Sequence, residues 1–380
     1  MESFIAYNPT MVHFGKDVIN GLGEIVYGYG KKALLIYGQG SVKKTGIFDK
    51  ITDQFTKHHI DYIEYSGIKP NPSTTDVNKA VKLCRSKKVE VIIAVGGGSV
   101  IDSAKIASLC IPGNFDAWDV MTRKVKPKSS IPLVSVITLA ATGTEMNQFA
   151  VLQDPSTRMK TGYGNPLIYP KHSFLDPEFT LSVPYDYTAF GITDLIAHSL
   201  ESFFAGDDST LSDRFVEAIV KEALHYAPLL LKNLKNYEYR SKILWASTCA
   251  LNGTTAAGRI YTGDWGVHDI GHTLSFLYDT PHGASLSIAY PAWLKLMRER
   301  IPDRIRELGV HIFNISSADK TIIKLTDFFR SIDCPVKLGA IGIESEKKQE
   351  IIDLMRKNKV NGLVHKLGND DYPKIVDLMF

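Results

Sequence analysis

Val91-Ile92-Ile93-Ala94-Val95-Gly96-Gly97-Gly98-Ser99-Val100-Ile101-Asp102-Ser103-Ala104-Lys105 is the stretch of this 380-residue chain whose pattern decides the fold. Five apolar residues rich in Val and Ile predict a buried parallel strand. Three glycines follow, then Ser99 at an expected N-cap. Apolar spacing at Val100, Ile101, Ala104 and Ala107 predicts a helix. Lacking Cβ atoms, the glycines let a diphosphate reach the backbone, where the free N–H groups of a helix start attract it. The pattern differs from the G-x-G-x-x-G of the ordinary dinucleotide fold. A tight turn needing glycine for geometry alone is the alternative.

On either side of this turn, strand and helix patterns alternate up to about residue 184. Strands are expected at 33–37, 62–65 and 133–137, and a helix at 46–58. Another helix starts after Asn71-Pro72, with Ser73 as cap and Asp76 in its first turn. Such alternation predicts a parallel sheet covered on both faces. Residues 4–14 are expected as a small antiparallel edge hairpin. After Ser182-Val183-Pro184, strand-like runs give way to 3.6-period segments at about 186–205, 211–235, 238–256, 287–299, 302–313, 318–332 and 345–357. The expected fold class is an α/β nucleotide-binding domain with a parallel sheet over 1–184, followed by an all-α domain over 185–380.

The helical half carries a second signal. Asp194 and His198 are four residues apart, as are His268 and His272, and Pro281-His282-Gly283 adds one more imidazole. Residues four apart share a helix face. Asp194, His198, His268 and His282 could therefore converge on one divalent cation, making the all-α domain the metal-binding one. Carboxylate oxygen mixed with imidazole nitrogen suits Fe(II) or Zn(II) rather than calcium or magnesium. Scattered surface or core histidines are the alternative.

With GGGSVIDSAK at 96–105, Thr138-Leu139-Ala140-Ala141-Thr142-Gly143-Thr144-Glu145, and the Asp194/His198/His268/His282 set, the chain resembles the iron-containing (group III) alcohol dehydrogenases. Within them it is similar to the butanol dehydrogenase and broad-specificity NADPH-dependent aldehyde reductase branch. The resemblance implies a dehydroquinate synthase-like architecture, one Fe(II) or Zn(II), and hydride exchange between NAD(P)H and a short- to medium-chain aldehyde or alcohol. It makes His272 a residue near the nicotinamide and substrate that does not ligate the metal, where an imidazole titrating near neutral pH would move protons; a cleft-lining residue is the alternative. It places Gly97, Gly98 and Ser99 at the pyrophosphate, and Asp102 on the nicotinamide side. Thr138 and Thr142 fall at the adenine, ribose or pyrophosphate, and Asn147 and Lys160 in the nicotinamide half. Asn71 is either a cofactor contact or a turn former. Where NAD-preferring members carry an acid, this chain has Gly38, Gln39, Gly40 and Ser41. Ser41 with Lys43 or Lys44 would welcome a 2′-phosphate, so NADP(H) is expected over NAD(H). A dehydroquinate synthase-like lyase, or a catalytically silent nucleotide-binding protein, is the alternative function.

Bulk properties are compatible with this resemblance. A net charge of +3, with 44% hydrophobic and 22% charged residues, describes a globular protein without a polyanion partner. Neither a nucleic-acid nor a membrane partner is expected. Cys84, Cys110, Cys249 and Cys334 form no C-x-x-C pair and fit a reducing compartment. Met1-Glu2-Ser3-Phe4 lacks the basic start of a signal peptide. A cytoplasmic enzyme is expected, as a homodimer.

Overall fold

The computed structural model describes residues 1–206 and 209–380. They form two compact units. One comprises Tyr7–Val183 with Leu234–Thr248; the other comprises Met1–Ala6, Pro184–Asn233 and Cys249–Phe380.

The first unit is built on a parallel sheet. Its strands are β1 (Met11–Phe14), β2 (Lys32–Tyr37), β3 (Asp61–Tyr65), β4 (Val91–Gly96), β5 (Leu133–Ile137) and β8 (His172–Leu175). They lie in the order β1-β8-β5-β4-β2-β3. Side chains alternate between faces with period two. Leu34, Ile36, Ile92 and Ala94 therefore pack with Ile101 and Ala104 of the helix Gly98–Gly113. Leu35, Ile93 and Val95 pack with Ile51 and Phe55 of the helix Ile47–Lys57. β4 and β5 are buried along their whole length, as expected of central parallel strands. Ser73 caps the helix Thr74–Lys87 by accepting from the N–H of Asp76.

Two expectations are corrected here. The N-terminal segment forms no local hairpin: β1 runs parallel to β8, pairing Met11 with His172. Met11 N–H donates to Lys171 O at 3.0 Å and Thr10 Oγ1 to Pro170 O at 2.8 Å, so the partner comes from 160 residues away. The antiparallel hairpin is instead β6 (Phe149–Asp154) with β7 (Met159–Gly164). Its turn is held by Asp154, which accepts from Thr157 N–H and from the Ser156 and Thr157 hydroxyls. Ser99, finally, is not the N-cap. Gly97 takes that position and the helix begins at Gly98, while the Ser99 hydroxyl donates to Pro70 O.

Residues 234–248 sit with the α/β unit, although the sequence pattern assigns everything after 184 to one helical domain. Polar contacts explain the difference. Arg240 donates to the carbonyls of Leu234 and Val183, Lys235 to Leu181 O, and Thr248 Oγ1 to buried Glu145 at 2.5 Å. Leu244 meanwhile joins the core beneath the sheet.

The second unit is helical. Tyr185–Phe203, Thr210–Lys232, Pro302–Phe313 and Ala318–Ser331 fall where the 3.6-residue period predicts them. Gly266–Tyr278 and Asp371–Met379 are further helices, and His282–Met297 starts earlier than its apolar pattern. No helix among the described residues is long and apolar enough to cross a membrane.

Candidate metal centre and nucleotide site

Asp194 and His198 occupy successive turns on one face of the helix Tyr185–Phe203. His268 lies in Gly266–Tyr278, and His282 is the first residue of His282–Met297. A Cβ on Gly283 would come within 2.0 Å of the Phe190 carbonyl oxygen. Only glycine there lets the helix bearing His282 lie against the one bearing Asp194. A Cβ on Gly271 would fall 2.9 Å from Ser285 Oγ.

Asp194 Oδ1 is the hub. It stands 3.5 Å from His198 Nδ1, 4.0 Å from His268 Nε2 and 3.5 Å from His282 Nε2. One ligand atom from each of the four residues lies within 4.8 Å of every other. Ligands about 2.0–2.2 Å from one tetrahedral cation stand roughly 3.4 Å apart, so the cluster has the dimensions of a metal site. Burial, with the neighbouring His268 ring, pushes His198 well below its ordinary 6.5. The ring is thereby neutral, as a ligand must be. Among the described residues, its buried Nδ1 finds no hydrogen-bond partner. A cation would satisfy that nitrogen.

His272 sits one turn beyond His268, buried. Its ring stacks on His282, with centroids 5.6 Å apart, and its Nδ1 is 3.9 Å from Asp269 Oδ1. It borders the cluster without joining it.

One residue at this centre was missed from sequence. Glu201 is buried, three residues after His198 and seven after Asp194, on the same helix face. Its Oε1 lies 2.8 Å from His268 Nδ1 and accepts from His268 N–H at 3.1 Å, and its Oε2 accepts from Trp265 N–H at 2.5 Å. Burial, then Asp264, pushes Glu201 well above the ordinary carboxylate range, against the pull of those N–H groups. A carboxylate that continues the face of Asp194 and His198, seven and three residues on, is the signal that could have revealed it. Trp265 itself adopts φ 64°, left-handed backbone that costs roughly 1–3 kcal/mol for such a residue. Its ring packs edge-on against His268 and His198.

In the α/β unit, the glycine turn lies at the C-terminal end of β4. A Cβ on Gly98 would meet Thr142 Cγ2 at 2.7 Å, so glycine is needed there for packing as well as for any phosphate. Thr138 donates its N–H to Gly96 O, and the Thr142 hydroxyl accepts from Thr144 N–H. Asp102, buried, accepts from Thr144 Oγ1 at 2.6 Å and Val151 N–H at 2.9 Å. Asn147 is engaged internally. Its Oδ1 accepts from Lys105 Nζ and Phe149 N–H, and its Nδ2 donates to Gly143 O. Lys160 Nζ donates to Asn71 Oδ1 at 2.8 Å, tying two expected cofactor residues to each other.

The loop after β2 departs from expectation at one residue. Gly38, Gly40 and Ser41 lead into a short helix, Ser41–Lys44. Lys43, however, is held by Glu64 at 2.7 Å and lies over the Phe48 ring. Glu64 also accepts from the Tyr37 hydroxyl. The Lys43 charge is therefore already balanced by a carboxylate.

A parallel sheet with a glycine-lined strand-to-helix turn, in a chain that also buries a carboxylate among three imidazoles, defines a class of metal-dependent oxidoreductases. Comparison with known proteins agrees. Residues 9–177 match the model for "Iron-containing alcohol dehydrogenase", and residues 188–371 match "Fe-containing alcohol dehydrogenase family, C-terminal". The chain belongs to the iron-containing alcohol dehydrogenase family. It is 37% identical to the probable NADH-dependent butanol dehydrogenase 1 of Bacillus subtilis, over 99% of both chains. It is 33% identical to the NADPH-dependent aldehyde reductase YqhD of Escherichia coli, over 98% of this chain and 96% of that one. The crystal structure of NADH-dependent butanol dehydrogenase A from Thermotoga maritima superposes with a TM-score of 0.96 at 35% identity, covering 100% of this chain and 99% of that one.

Proposed function

We propose that this alcohol dehydrogenase interconverts short- to medium-chain aldehydes and alcohols with NADP(H) in preference to NAD(H), using one Fe(II) or Zn(II) held by Asp194, His198, His268 and His282. The convergence of those four side chains carries the proposal. When bound, the cation supplies Lewis acidity toward the substrate oxygen and the nicotinamide supplies or takes the hydride. Asp194 offsets one cationic charge, and the neutral rings of His198, His268 and His282 offer lone pairs. His272 moves the proton that the oxygen gains on reduction or gives up on oxidation.

Backbone N–H groups at Gly97, Gly98 and Ser99 receive the pyrophosphate. Asp102, Thr138, Thr142, Asn147, Lys160 and Asn71 shape the surrounding pocket, with Asn147 acting as an internal brace. Gly38, Gly40 and Ser41 leave the adenosine ribose without a facing acid, which supports NADP(H). The edge strand β1, where Met11, Phe14 and nearby Trp245 are exposed, supports a homodimer, to be checked by light scattering.

The test is NAD(P)H oxidation with butanal, on protein purified without air, stripped of metal and reloaded with Fe(II) or Zn(II). Activity should vanish on stripping and return on reloading. Full turnover in the stripped protein would sink the metal role. No turnover of any aldehyde would favour a lyase or a silent binding protein.

A further inference from the structure

We propose that Glu201 is the positioning residue of the metal centre: it fixes His268 as an Nε2 donor and locks the start of the helix that carries it. This rests on the metal assignment above and adds to it a residue outside the four ligands.

A neutral imidazole carries one proton and one ring lone pair, on different nitrogens. Which nitrogen can face a cation is decided by the hydrogen bond the other makes. His268 Nδ1 is 2.8 Å from Glu201 Oε1, while Nε2 faces Asp194 Oδ1 at 4.0 Å. The direction of the Nδ1 contact follows from the rest of the carboxylate's surroundings. Backbone N–H groups of Trp265 and His268 both donate to Glu201. Backbone N–H groups can only donate, and each carboxyl oxygen of Glu201 accepts one, which opposes the effect of burial and favours the acceptor form with the proton on His268 Nδ1. The lone pair is then on Nε2, directed at the cluster.

The same carboxylate fixes the backbone. Trp265, the residue preceding the helix Gly266–Tyr278, is left-handed, and its N–H is taken by Glu201 Oε2. Asp264 adds a second clamp. Its N–H donates to Glu201 O, and its own side chain accepts from the N–H groups of Val364 and His365. Glu201 thus sets both the tautomer of His268 and the helix entry that aims its ring. All these residues lie in one compact unit.

The experiment uses the full chain, stripped of metal, as wild type, Glu201→Ala and Glu201→Gln. Zn²⁺ affinity is measured by competition with a chromophoric chelator, the His268 tautomer by ¹⁵N NMR of histidine-labelled protein, and nucleotide binding by NADPH fluorescence. Wild type should show His268 protonated on Nδ1. Glu201→Ala should lose about 10- to 100-fold in Zn²⁺ affinity with NADPH binding unchanged. Glu201→Gln keeps an oxygen acceptor for Nδ1–H, so it should retain the tautomer and recover most of that loss.

A wild-type His268 protonated on Nε2 overturns the inference whether or not the variants fold. So does a folded Glu201→Ala with wild-type Zn²⁺ affinity, or a Glu201→Gln that loses as much as Glu201→Ala. If wild type binds no Zn²⁺, or His282→Ala binds it unchanged, the metal assignment itself fails and the role of Glu201 falls with it.

Discussion

His272 and His282 stack with 26° between their ring planes, yet only His282 places a nitrogen 3.5 Å from Asp194 Oδ1. His272 Nδ1 lies 3.9 Å from Asp269 Oδ1. The geometry thus separates the two adjacent imidazoles, in keeping with the proposed roles of cation ligand for His282 and proton carrier for His272.

That separation predicts opposite outcomes for two alanine variants. His282→Ala removes one of four proposed ligands and should weaken Zn²⁺ or Fe²⁺ binding by more than ~100-fold, beyond what outer partners typically carry. His268→Ala should behave the same way. His272→Ala should keep its metal and lose roughly 100- to 10,000-fold in kcat, the usual range for general acid–base catalysis. Metal content and kcat measured on the same preparations decide it. Metal loss from His272→Ala would make it a ligand.

The α/β unit is held by the buried Lys105 amine, which burial lowers to about 7 against the pull of Asp102 and Glu145, as well as by its apolar core. Lys105 Nζ donates to Thr144 Oγ1, Asn147 O, Asn147 Oδ1 and Phe149 O, all within 3.0 Å. Thr144 in turn bonds Asp102. Lys105→Met fills similar volume but removes every hydrogen bond that Nζ makes to these acceptors, and should destabilise the unit by about 3 kcal/mol. Denaturant unfolding measures the loss, and a change within ~1 kcal/mol would show that water replaces the amine.

What could be read from sequence was local. The apolar runs at 91–95 and 133–137 became β4 and β5 because central parallel strands need no partner pattern to be recognised. Pro302 opens the helix ending at Phe313 where the helical period begins. The β1–β8 pairing was illegible, since nothing near Met11 encodes a partner at His172. Asp194 and His198 stood out by spacing, whereas Glu201 looked like an ordinary charged helix residue. Its value comes from Trp265 and His268, more than sixty residues away. Lys43 was visible as a basic residue, but its engagement by Glu64 depends on the β2–β3 pairing.

Acid sensitivity should arise at the sheet edge. His13 Nε2 and His172 Nδ1 share a hydrogen bond of 2.9 Å, and burial lowers both from 6.5. The unfolded chain then binds protons more readily than the fold between the lowered values and 6.5. The contribution is fully present above about pH 6.5 and is lost as pH falls through the folded values. His13→Phe preserves a ring against Phe174, on which His13 stacks, and removes one titrating group. The drop in Tm between pH 7.5 and pH 5.5 should be smaller in this variant than in wild type. An equal drop in both would assign the acid limb to other groups.

Cofactor choice depends on position 38. A Cβ there would meet Ile68 O at 3.5 Å and Val100 Cγ2 at 3.8 Å, ordinary contacts that leave room for a side chain. Lys43 is balanced by Glu64, so the proposed preference for NADP(H) depends on the absence of an acid at Gly38 and on the Ser41 hydroxyl. Gly38→Asp should repel a 2′-phosphate and offer two acceptor oxygens to a free ribose diol. One like-charge contact at short range in a partly desolvated site is worth on the order of 2 kcal/mol, so the kcat/KM ratio for NADPH over NADH should fall by tenfold or more. Glu64→Gln provides the complementary check, since it frees the Lys43 charge and should move the ratio toward NADPH if that charge reaches the phosphate. A parent enzyme already selective for NADH, or a ratio unmoved by Gly38→Asp, would remove the NADP(H) preference while leaving the metal centre untouched.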